Sequence, residues 1–305
     1  MARKKRGRKK QKNDNLKLLQ FFAAAVIILV AAIYYISRDS QLIERKVPAK
    51  DESALRELSR ETATEVRQKP ASHAVETKTE APGTPEIPRL SIIIDDIGFT
   101  DRYKDIIAID VPITLAIIPF TPHAIESAEE GQSAGAEIIL HLPMEPIDYP
   151  ATNPGTYALL TGMTEREILD KLRKNLETLP HIKGVNNHMG SRFTEDNAGM
   201  KIVLTEIKKR GLYFIDSRTS YRSVGFSLAR SMDIRTAERS VFLDNVQTEA
   251  AIEKQLMEAV EIARKKGESL AIGHPHASTV AVLARVAPSL AKEGIKLVYA
   301  SQMAR

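Results

Sequence analysis

The sequence predicts an α/β fold in which a parallel sheet curls into a (β/α)7–8 barrel, complete or distorted. Apolar runs of strand length recur through residues 90–299, and amphipathic stretches of helical length separate them. Most of these runs end in Asp or His. Because ligands bind at the carboxyl ends of parallel strands, ionisable residues collected at that edge indicate an enzyme. An open doubly wound sheet is the alternative arrangement of the same units.

Each element follows from apolar periodicity and helix boundary signals. The predicted strands are 90–94, 113–118, 137–141, 184–188, 212–216, 240–244, 269–273 and 295–299. The predicted helices are 101–109, 122–134, 164–178, 196–210, 248–266 and 278–293, with a short extra helix within 219–235. Thr164 and Glu167 have the spacing of a capping box, and Gly211 follows a basic turn as a helix-terminating glycine.

The sequence that precedes the predicted barrel is divided into a basic tail (1–17), a predicted membrane anchor (18–36) and a charged, Pro-rich tether (37–88). The anchor segment is uncharged and has about the 20 residues that cross a bilayer. The positive-inside rule keeps the tail cytoplasmic and places the catalytic domain, 89–305, outside the cytoplasm. A cleaved signal peptide is the alternative, but its apolar region is usually about 7–15 residues long.

Composition excludes several classes of protein. The absence of Cys excludes disulfides, thiolate metal sites and a Cys nucleophile. The net charge of +5 reflects eight Lys/Arg within residues 1–12, and the rest of the chain carries −3. With no Trp and no basic stripe, the domain has no nucleic-acid footprint. GxGxxG, Walker and GxSxG motifs are absent, which argues against nucleotide-dependent chemistry and serine hydrolysis.

Asp95 and Asp96 follow a run of three isoleucines. Adjacent carboxylates repel each other, and a bound cation favours their ionised forms. A helix N-cap would account for only one of them. Glycoside hydrolysis by the pair is another alternative, but neighbouring strand residues point to opposite faces, which is a poor arrangement for two carboxyls that must flank one sugar.

His141 and His188 also close apolar runs. One such histidine alone is better explained as a core residue, but two of them indicate metal ligands. An Asp with two neutral His leaves one position open on Zn²⁺, as a hydrolytic site requires. Asn186–Asn187 and Arg192 are expected to orient ligands or substrate, although the two asparagines alternatively form a turn.

His274 and His276 form a third histidine site in Gly273-His-Pro-His276. The glycine permits close approach and the proline fixes the chain. His274 suits a general acid, the alternative being a rigid loop with a solvent-facing His276. Asp216, at another strand end, is expected to hold a catalytic group or bind sugar hydroxyls, and Asp244 to cap the following helix.

Five motifs follow one another along the chain: Ile92–Gly98, His141–Pro146, Asn187–Ser191, Asp216–Arg218 and Gly273–His276. Together they resemble the divergent polysaccharide deacetylase family of bacteria. That family is similar to the metal-dependent polysaccharide deacetylases, whose fold is a distorted β/α barrel. The resemblance implies Asp96 as a metal ligand, Asp95 as the base that activates water, and His274 as the acid that protonates the leaving amine.

One position departs from the broader family, which usually takes both histidine ligands from one segment with a spacing of four. Glu145 stands at that place after His141, so His188 is predicted as the second histidine ligand. The remaining predicted substrate-binding or supporting residues are Glu145, Asn187, Arg192, Asp216, Arg218 and His276.

The resulting hypothesis is a zinc-dependent hydrolase, anchored in the bacterial inner membrane with its domain in the periplasm. It would remove acetyl groups, N-acetyl above all, from a cell-envelope or exported polysaccharide. Its expected partners are the polysaccharide and the lipid bilayer. The alternative is a glycan-binding or envelope-scaffold module on the same fold that has lost turnover. The few aromatic residues argue against a sugar-stacking surface.

Overall fold

A parallel sheet of nine strands alternates with seven α-helices in residues 87–305, the part of the chain that this computed structural model describes. The strands are β1 (Arg89–Ile97), β2 (Thr114–Ile117), β3 (Glu137–Met144), β4 (Gly184–Met189), β5 (Tyr213–Asp216), β6 (Thr236–Glu238), β7 (Val241–Phe242), β8 (Glu268–Gly273) and β9 (Lys296–Val298). The helices are α1 (Tyr103–Ile107), α2 (Ala124–Ser133), α3 (Glu165–Thr178), α4 (Asn197–Lys209), α5 (Gly225–Ser231), α6 (Glu249–Lys266) and α7 (Ala277–Leu290).

The strand order is β6-β5-β4-β3-β2-β1-β8-β7, and β9 pairs with the first residues of β1. The expected curled parallel α/β sheet is confirmed, but the closed barrel is not. Within residues 87–305 no ladder joins β6 to β7. The chain itself prevents that pairing, because only two residues separate these strands and parallel neighbours need a crossover of roughly a dozen or more.

The two faces of the sheet have different coverings. Ile92 and Ile94 of β1 belong to an outer core to which all seven helices contribute, whereas Ile93 faces an inner core. The inner core is completed by the C-terminal segment, from Val298 to Ala304, and not by helices. The doubly wound alternative, which requires helices on both faces, is therefore wrong.

Most predicted helix boundaries lie within a few residues of those observed. The capping box is confirmed, since the Thr164 hydroxyl accepts from the Glu167 N–H and the Glu167 carboxylate accepts from the Thr164 N–H. Gly211 has a φ of 68° just after α4, as expected of a terminating glycine. Strand β6 was not predicted, because three residues are too few to show a period.

The predicted tail, anchor and nearly all of the tether lie outside the described residues. Of the helices within 87–305, none has the length and apolar character needed to cross a bilayer.

Candidate active site

Strand β1 continues past its predicted end and carries both acidic residues to one place. Its register against β2 shifts between Ile94 and Ile97, and Asp96 adopts a left-handed φ of 58°. The regular strand geometry that would point the two carboxylates to opposite faces is therefore not kept at Asp96. Asp95 Oδ2 lies 3.6 Å and Asp96 Oδ1 3.2 Å from the same atom, His141 Nε2. An imidazole, and not a sugar, occupies the space that the pair faces.

Three ligand atoms converge beside this bulge. Asp96 Oδ1 lies 3.0 Å from His188 Nδ1 and 3.2 Å from His141 Nε2, and the two ring nitrogens are 3.2 Å apart. The histidines come from neighbouring strands, His141 from β3 and His188 from β4, two register positions further along. Both lie within their strands, which run to Met144 and Met189.

The donor set fits a divalent cation. Asp96 Oδ1 is buried, yet it accepts no hydrogen bond of acceptable geometry from either imidazole. Zn–N bonds of about 2.0–2.1 Å place neighbouring tetrahedral ligand atoms roughly 3.3–3.4 Å apart, close to the observed separations. His188 Nδ1 and His141 Nε2 lie within hydrogen-bond distance of each other, and one cation would satisfy both nitrogens together with Asp96 Oδ1. One carboxylate with two imidazoles suits zinc.

Asn186 joins the candidate metal ligand to the second carboxylate. Its amide nitrogen donates to Asp95 Oδ1 (2.8 Å) and to the Ser217 hydroxyl (3.2 Å). Its Oδ1 therefore faces His141 Nδ1, 2.8 Å away, and accepts the proton of that nitrogen. When the His141 ring is neutral, this bond leaves its unshared pair on Nε2, the atom that faces Asp96. Asn186 lies within β4 and not in a turn.

Burial and neighbouring charges shift the pKa values of the two carboxylates in opposite directions. Burial raises the pKa of Asp95 above its usual range, against the opposing charges of His141 and His274. Burial also acts to raise the pKa of Asp96, but His141 and His188 outweigh it and hold that pKa well below its usual range. Burial lowers the pKa of His188, which favours the neutral form that binds a metal.

On the other side of β1, His274 follows β8 and is held by Asp244. The ring donates from Nδ1 to Asp244 Oδ1 (2.8 Å), and the His274 N–H donates to Oδ2 (2.6 Å). Burial lowers the pKa of His274, but Asp244 and the charge on Asp95 raise it on balance to about 9. Gly273 permits this approach, since a Cβ there would lie 3.3 Å from Asp244 Oδ2.

Asp244 does not cap helix α6, contrary to the sequence-based expectation. Thr248 caps it, and Asp244 Oδ2 instead accepts from the Thr279 hydroxyl at 2.8 Å. Asp216, expected to hold a catalytic group or bind sugar hydroxyls and predicted as a substrate-binding or supporting residue, forms no hydrogen bond with a histidine within residues 87–305. It is fully buried and accepts from the Arg218 N–H (2.8 Å) and the Ser223 hydroxyl (2.7 Å), which orders the loop after β5.

Two further predicted residues, Glu145 and Asn187, are buried and hold loops at the edge of the site. Glu145 accepts from the N–H and hydroxyl of Thr161, at 2.5 and 2.6 Å. Asn187 accepts from the Ser217 N–H (2.9 Å) and donates to the Met189 carbonyl (2.8 Å). These contacts make both of them supporting residues.

The last three predicted residues are more accessible. Arg192 is half exposed and donates to the Ile147 carbonyl at 3.2 Å. Arg218 pairs with Glu238 at 3.3 Å, and His276 Nε2 lies 3.0 Å from the Gln247 amide nitrogen. Within residues 87–305, none of these three side chains forms a hydrogen bond with Asp96, His141 or His188.

The arrangement can be compared with known proteins at this point. The family described as divergent polysaccharide deacetylase matches residues 92–304. The chain belongs to this family. The relatives of this chain include the uncharacterised protein YibQ of Escherichia coli K12, 36% identical over 70% of this chain and 67% of that protein, and an uncharacterised protein of Haemophilus influenzae, 35% identical over 64% and 69%. The crystal structure of uncharacterised ATU2773 from Agrobacterium tumefaciens C58 is 26% identical, covers 73% of this chain and 92% of that one, and has a TM-score of 0.69.

Two residues that contribute to this site were not predicted from the sequence in that role: Asp244, as the partner of His274, and Arg239. Nothing in the sequence distinguishes Asp244 from Asp216, since both close apolar runs. Arg239 was not singled out, yet it donates to the carbonyls of Ser217 (2.8 Å) and Arg218 (2.9 Å) and lies 3.9 Å over the Phe242 ring. It belongs to no apolar run that ends in an acid or histidine, so no sequence signal was available.

Proposed function

We propose that this chain is a metal-dependent hydrolase that removes N-acetyl groups from a polysaccharide of the cell envelope. The observation that supports this most is the convergence of Asp96 Oδ1, His141 Nε2 and His188 Nδ1 at 3.0–3.2 Å, without hydrogen bonds to Asp96 Oδ1. Membership of a polysaccharide deacetylase family agrees with it. Zinc is the cation that we propose for these three ligands.

A cation held by these residues would supply Lewis-acid chemistry, polarising the acetyl carbonyl and stabilising the charge that develops on its oxygen. Asp95 is the base that we propose. Its carboxylate is buried and is oriented by Asn186, and burial raises its pKa. A carboxylate with a raised pKa is a better proton acceptor, so Asp95 would take a proton from the water that attacks the acetyl carbon.

His274 is the acid that we propose for the second half of the reaction. Its Nδ1 is bonded to Asp244, so the proton available for transfer is on Nε2. With a pKa of about 9, the ring is protonated at neutral pH. When the bond between the acetyl carbon and the amide nitrogen breaks, this proton passes to the leaving amine and acetate is released.

The first test is the metal content of the purified full-length chain after zinc is added back, measured by mass spectrometry. We expect about one zinc per chain, lost in Asp96→Ala and His188→Ala. His181→Asn is the matched control, because His181 is exposed, lies away from the site, and has a φ of 64° that asparagine tolerates. Loss of zinc in this control as well, or no zinc in the wild type, would favour the binding-module alternative.

The second test is release of acetate from acetylated glycans, with Asp95→Asn as the matched variant that removes only the base. We expect this variant to keep zinc but lose about 10²–10⁴ in turnover. Full activity in Asp95→Asn would remove Asp95 from the mechanism.

We also propose that residues 18–36 anchor the chain in the inner membrane with the domain in the periplasm. This rests on the uncharged apolar segment and on the basic tail before it. A reporter enzyme that is active only in the periplasm, fused after residue 305, would be active if this is correct. An active cytoplasmic reporter at the same junction would contradict it.

A further inference from the structure

A cavity of 450 Å³ opens where the sheet does not close, between β6 and the beginning of β8. Helix α5, the end of helix α6 and the C-terminal segment complete its walls. Ser269, on its wall, precedes Gly273 by four residues, or about 13 Å along β8. This seam cavity therefore lies toward the amino ends of the strands, away from the candidate active site. Its volume is within the usual range for a small-molecule site.

Two buried hydroxyls on the wall of the seam cavity lack a hydrogen-bond partner within residues 87–305. They belong to Thr236, which is 4% exposed, and to Ser269, which is 1% exposed. The backbone of Thr236 is satisfied, because its N–H and carbonyl exchange hydrogen bonds with Arg305. Buried polar groups are nearly always paired, since an unpaired one destabilises the fold. Two unpaired hydroxyls on one cavity therefore indicate a polar ligand.

The carboxylates at the seam cavity are neutralised by arginines. Glu238 lies 3.3 Å from Arg218, and Glu268 lies 2.7 Å from both Arg89 and Arg305. Because each carboxylate already has a cationic partner, these two residues do not exclude an anion from the cavity.

Two cationic side chains at the same cavity form no ion pair within residues 87–305. They are Arg230 of α5 and Lys266, the last residue of α6. The Arg230 guanidinium lies 5.8 Å from the centroid of the Phe226 ring, which also lines the cavity. Hydroxyl donors and unpaired cations together favour an anionic ligand, because hydrogen bonds to an ionised acceptor are the stronger ones.

The number of donor groups favours a phosphate over a carboxylate. Two hydroxyls, a guanidinium and an ammonium line one cavity, and a phosphate monoester has three acceptor oxygens where a carboxylate has two. The apolar part of the wall includes Leu270 and Met303, which are both buried. These side chains suit the carbon atoms of an organic ester.

We infer that the seam cavity binds a small organic phosphate. Its oxygens accept hydrogen bonds from the Thr236 and Ser269 hydroxyls and pair with Arg230 and Lys266. This inference goes beyond the proposed function and does not depend on it, since none of these four residues belongs to the candidate active site.

The test is titration calorimetry of the full-length chain with glycerol phosphate, inorganic phosphate and glycerol. We expect glycerol phosphate to bind, inorganic phosphate to bind more weakly, and glycerol not to bind. Ser269→Ala should weaken the binding of glycerol phosphate about tenfold, because it removes one hydrogen bond to a charged group. Lys266→Gln should weaken it a few fold and make it less sensitive to salt.

Two variants serve as matched controls. Ser91→Ala removes another buried serine hydroxyl that lacks a partner within residues 87–305, but Ser91 lies in β1 and does not line the cavity. Lys265→Gln removes a charge from the same turn of α6 as Lys266, and Lys265 does not line the cavity either. Both controls should bind glycerol phosphate as the wild type does. An equal loss in Lys265→Gln and Lys266→Gln would show general attraction to a basic surface and overturn the inference.

Thr236→Val separates a ligand role from a structural one. Valine removes the unpaired hydroxyl and keeps the branched shape, so we expect an unchanged or higher melting temperature without ligand. Glycerol phosphate at about ten times its Kd should raise the melting temperature of the wild type by about 3–5 °C and that of Thr236→Val much less. A lower melting temperature of the variant without ligand, together with the full rise on adding it, would show that the hydroxyl serves the fold and would overturn the inference.

The remaining outcomes keep this inference distinct from the proposed function. Acetate release by Ser269→Ala should equal that of the wild type, so a failure of the deacetylase would leave the calorimetric result in force. Absence of glycerol phosphate binding by the wild type would overturn the inference. Binding of butyrate that needs Ser269, without binding of either phosphate, would make the ligand a carboxylate and would also overturn it.

Discussion

The two histidine–carboxylate clusters lie on opposite sides of β1 and differ in where their protons are. In each cluster, one Asp and two His have ligand atoms close enough to one another to hold a single metal ion. The first cluster is Asp96 with His141 and His188, and the second is Asp244 with His274 and His276. In the first cluster, Asp96 Oδ1 accepts no hydrogen bond from any residue of 87–305. In the second, both Asp244 oxygens accept hydrogen bonds from His274. The same residue types therefore favour a cation in one place and proton transfer in the other.

The comparison shows that short contacts between His and Asp do not by themselves define a metal centre. What matters is whether a proton lies between the atoms. Asn186 accepts a hydrogen bond from Nδ1 of His141, so that Nε2 carries the unshared pair of the neutral ring, whereas Asp244 itself accepts the hydrogen bond from Nδ1 of His274. A substitution in one of the two clusters can therefore be compared with a substitution that leaves that cluster intact.

The largest effect is expected from Asp96→Asn compared with Asp244→Asn. Asp96→Asn removes an anionic ligand, and we expect zinc affinity to fall by more than about 10³-fold, or roughly 4 kcal/mol. Asp244→Asn should leave zinc affinity within a few fold. Competition with a chromophoric chelator measures both, and equal losses would mean that the two clusters are not chemically distinct.

Asp244→Asn should instead reduce turnover, by about 10²–10⁴-fold, because His274 loses the partner that keeps it protonated. In the wild type, activity should fall as pH rises through about 9, where His274 loses its proton. In the variant this alkaline limit should move toward about 6.5, the usual value for histidine. An unchanged pH profile of acetate release would exclude His274 as the acid.

The same ion pair links folding stability to pH. The pKa of His274 is raised from 6.5 to about 9 in the folded chain, so its stabilisation is complete below about pH 6.5 and is lost as pH rises through 9. The contribution is at most about 3 kcal/mol. Urea unfolding at pH 6, 8 and 10 should show this loss in the wild type and a flatter profile in Asp244→Asn. Parallel profiles would contradict the pairing.

A smaller effect is expected from Asn186→Leu, which removes the partner that orients His141. Loss of such a partner usually weakens metal binding by about 10–100-fold. Asn175→Leu is the matched control, since Asn175 is a buried asparagine of α3 that bonds only the Tyr157 carbonyl. Long-range proton–nitrogen NMR should show the Nδ1–H form of His141 in the zinc-loaded wild type and a mixture in Asn186→Leu. An unaltered tautomer would remove Asn186 from this role.

The smallest effect is expected from His276→Ala, which removes the third member of the second cluster. Its ring is in contact with Gln247 and, within residues 87–305, donates no hydrogen bond to Asp244. We expect zinc content, turnover and the pH profile to remain within about twofold. A loss of bound metal here would show that the second cluster also holds a cation.

Local patterns in the chain are sufficient to predict the family, the succession of strands and helices, and the edge of the sheet at which ionisable residues collect. These properties depend on local patterns: β-branched runs such as Ile92–Ile94, the capping box at Thr164, and ordered motifs that each lie within one segment. The residues that meet at the candidate metal centre were also named from the sequence, because each stands at or near the carboxyl end of a strand.

The directions of the side chains and their hydrogen-bond partners at the site depend on tertiary contacts. The bulge at Asp96 turns two adjacent carboxylates toward one imidazole, and the pairing of β3 with β4 puts Asn186 opposite His141. The choice of Asp244 over Asp216 as the partner of His274 follows from β7 pairing with β8. Such contacts join residues 30 to 91 positions apart, and a hydrogen bond requires sub-ångström placement that no local pattern encodes.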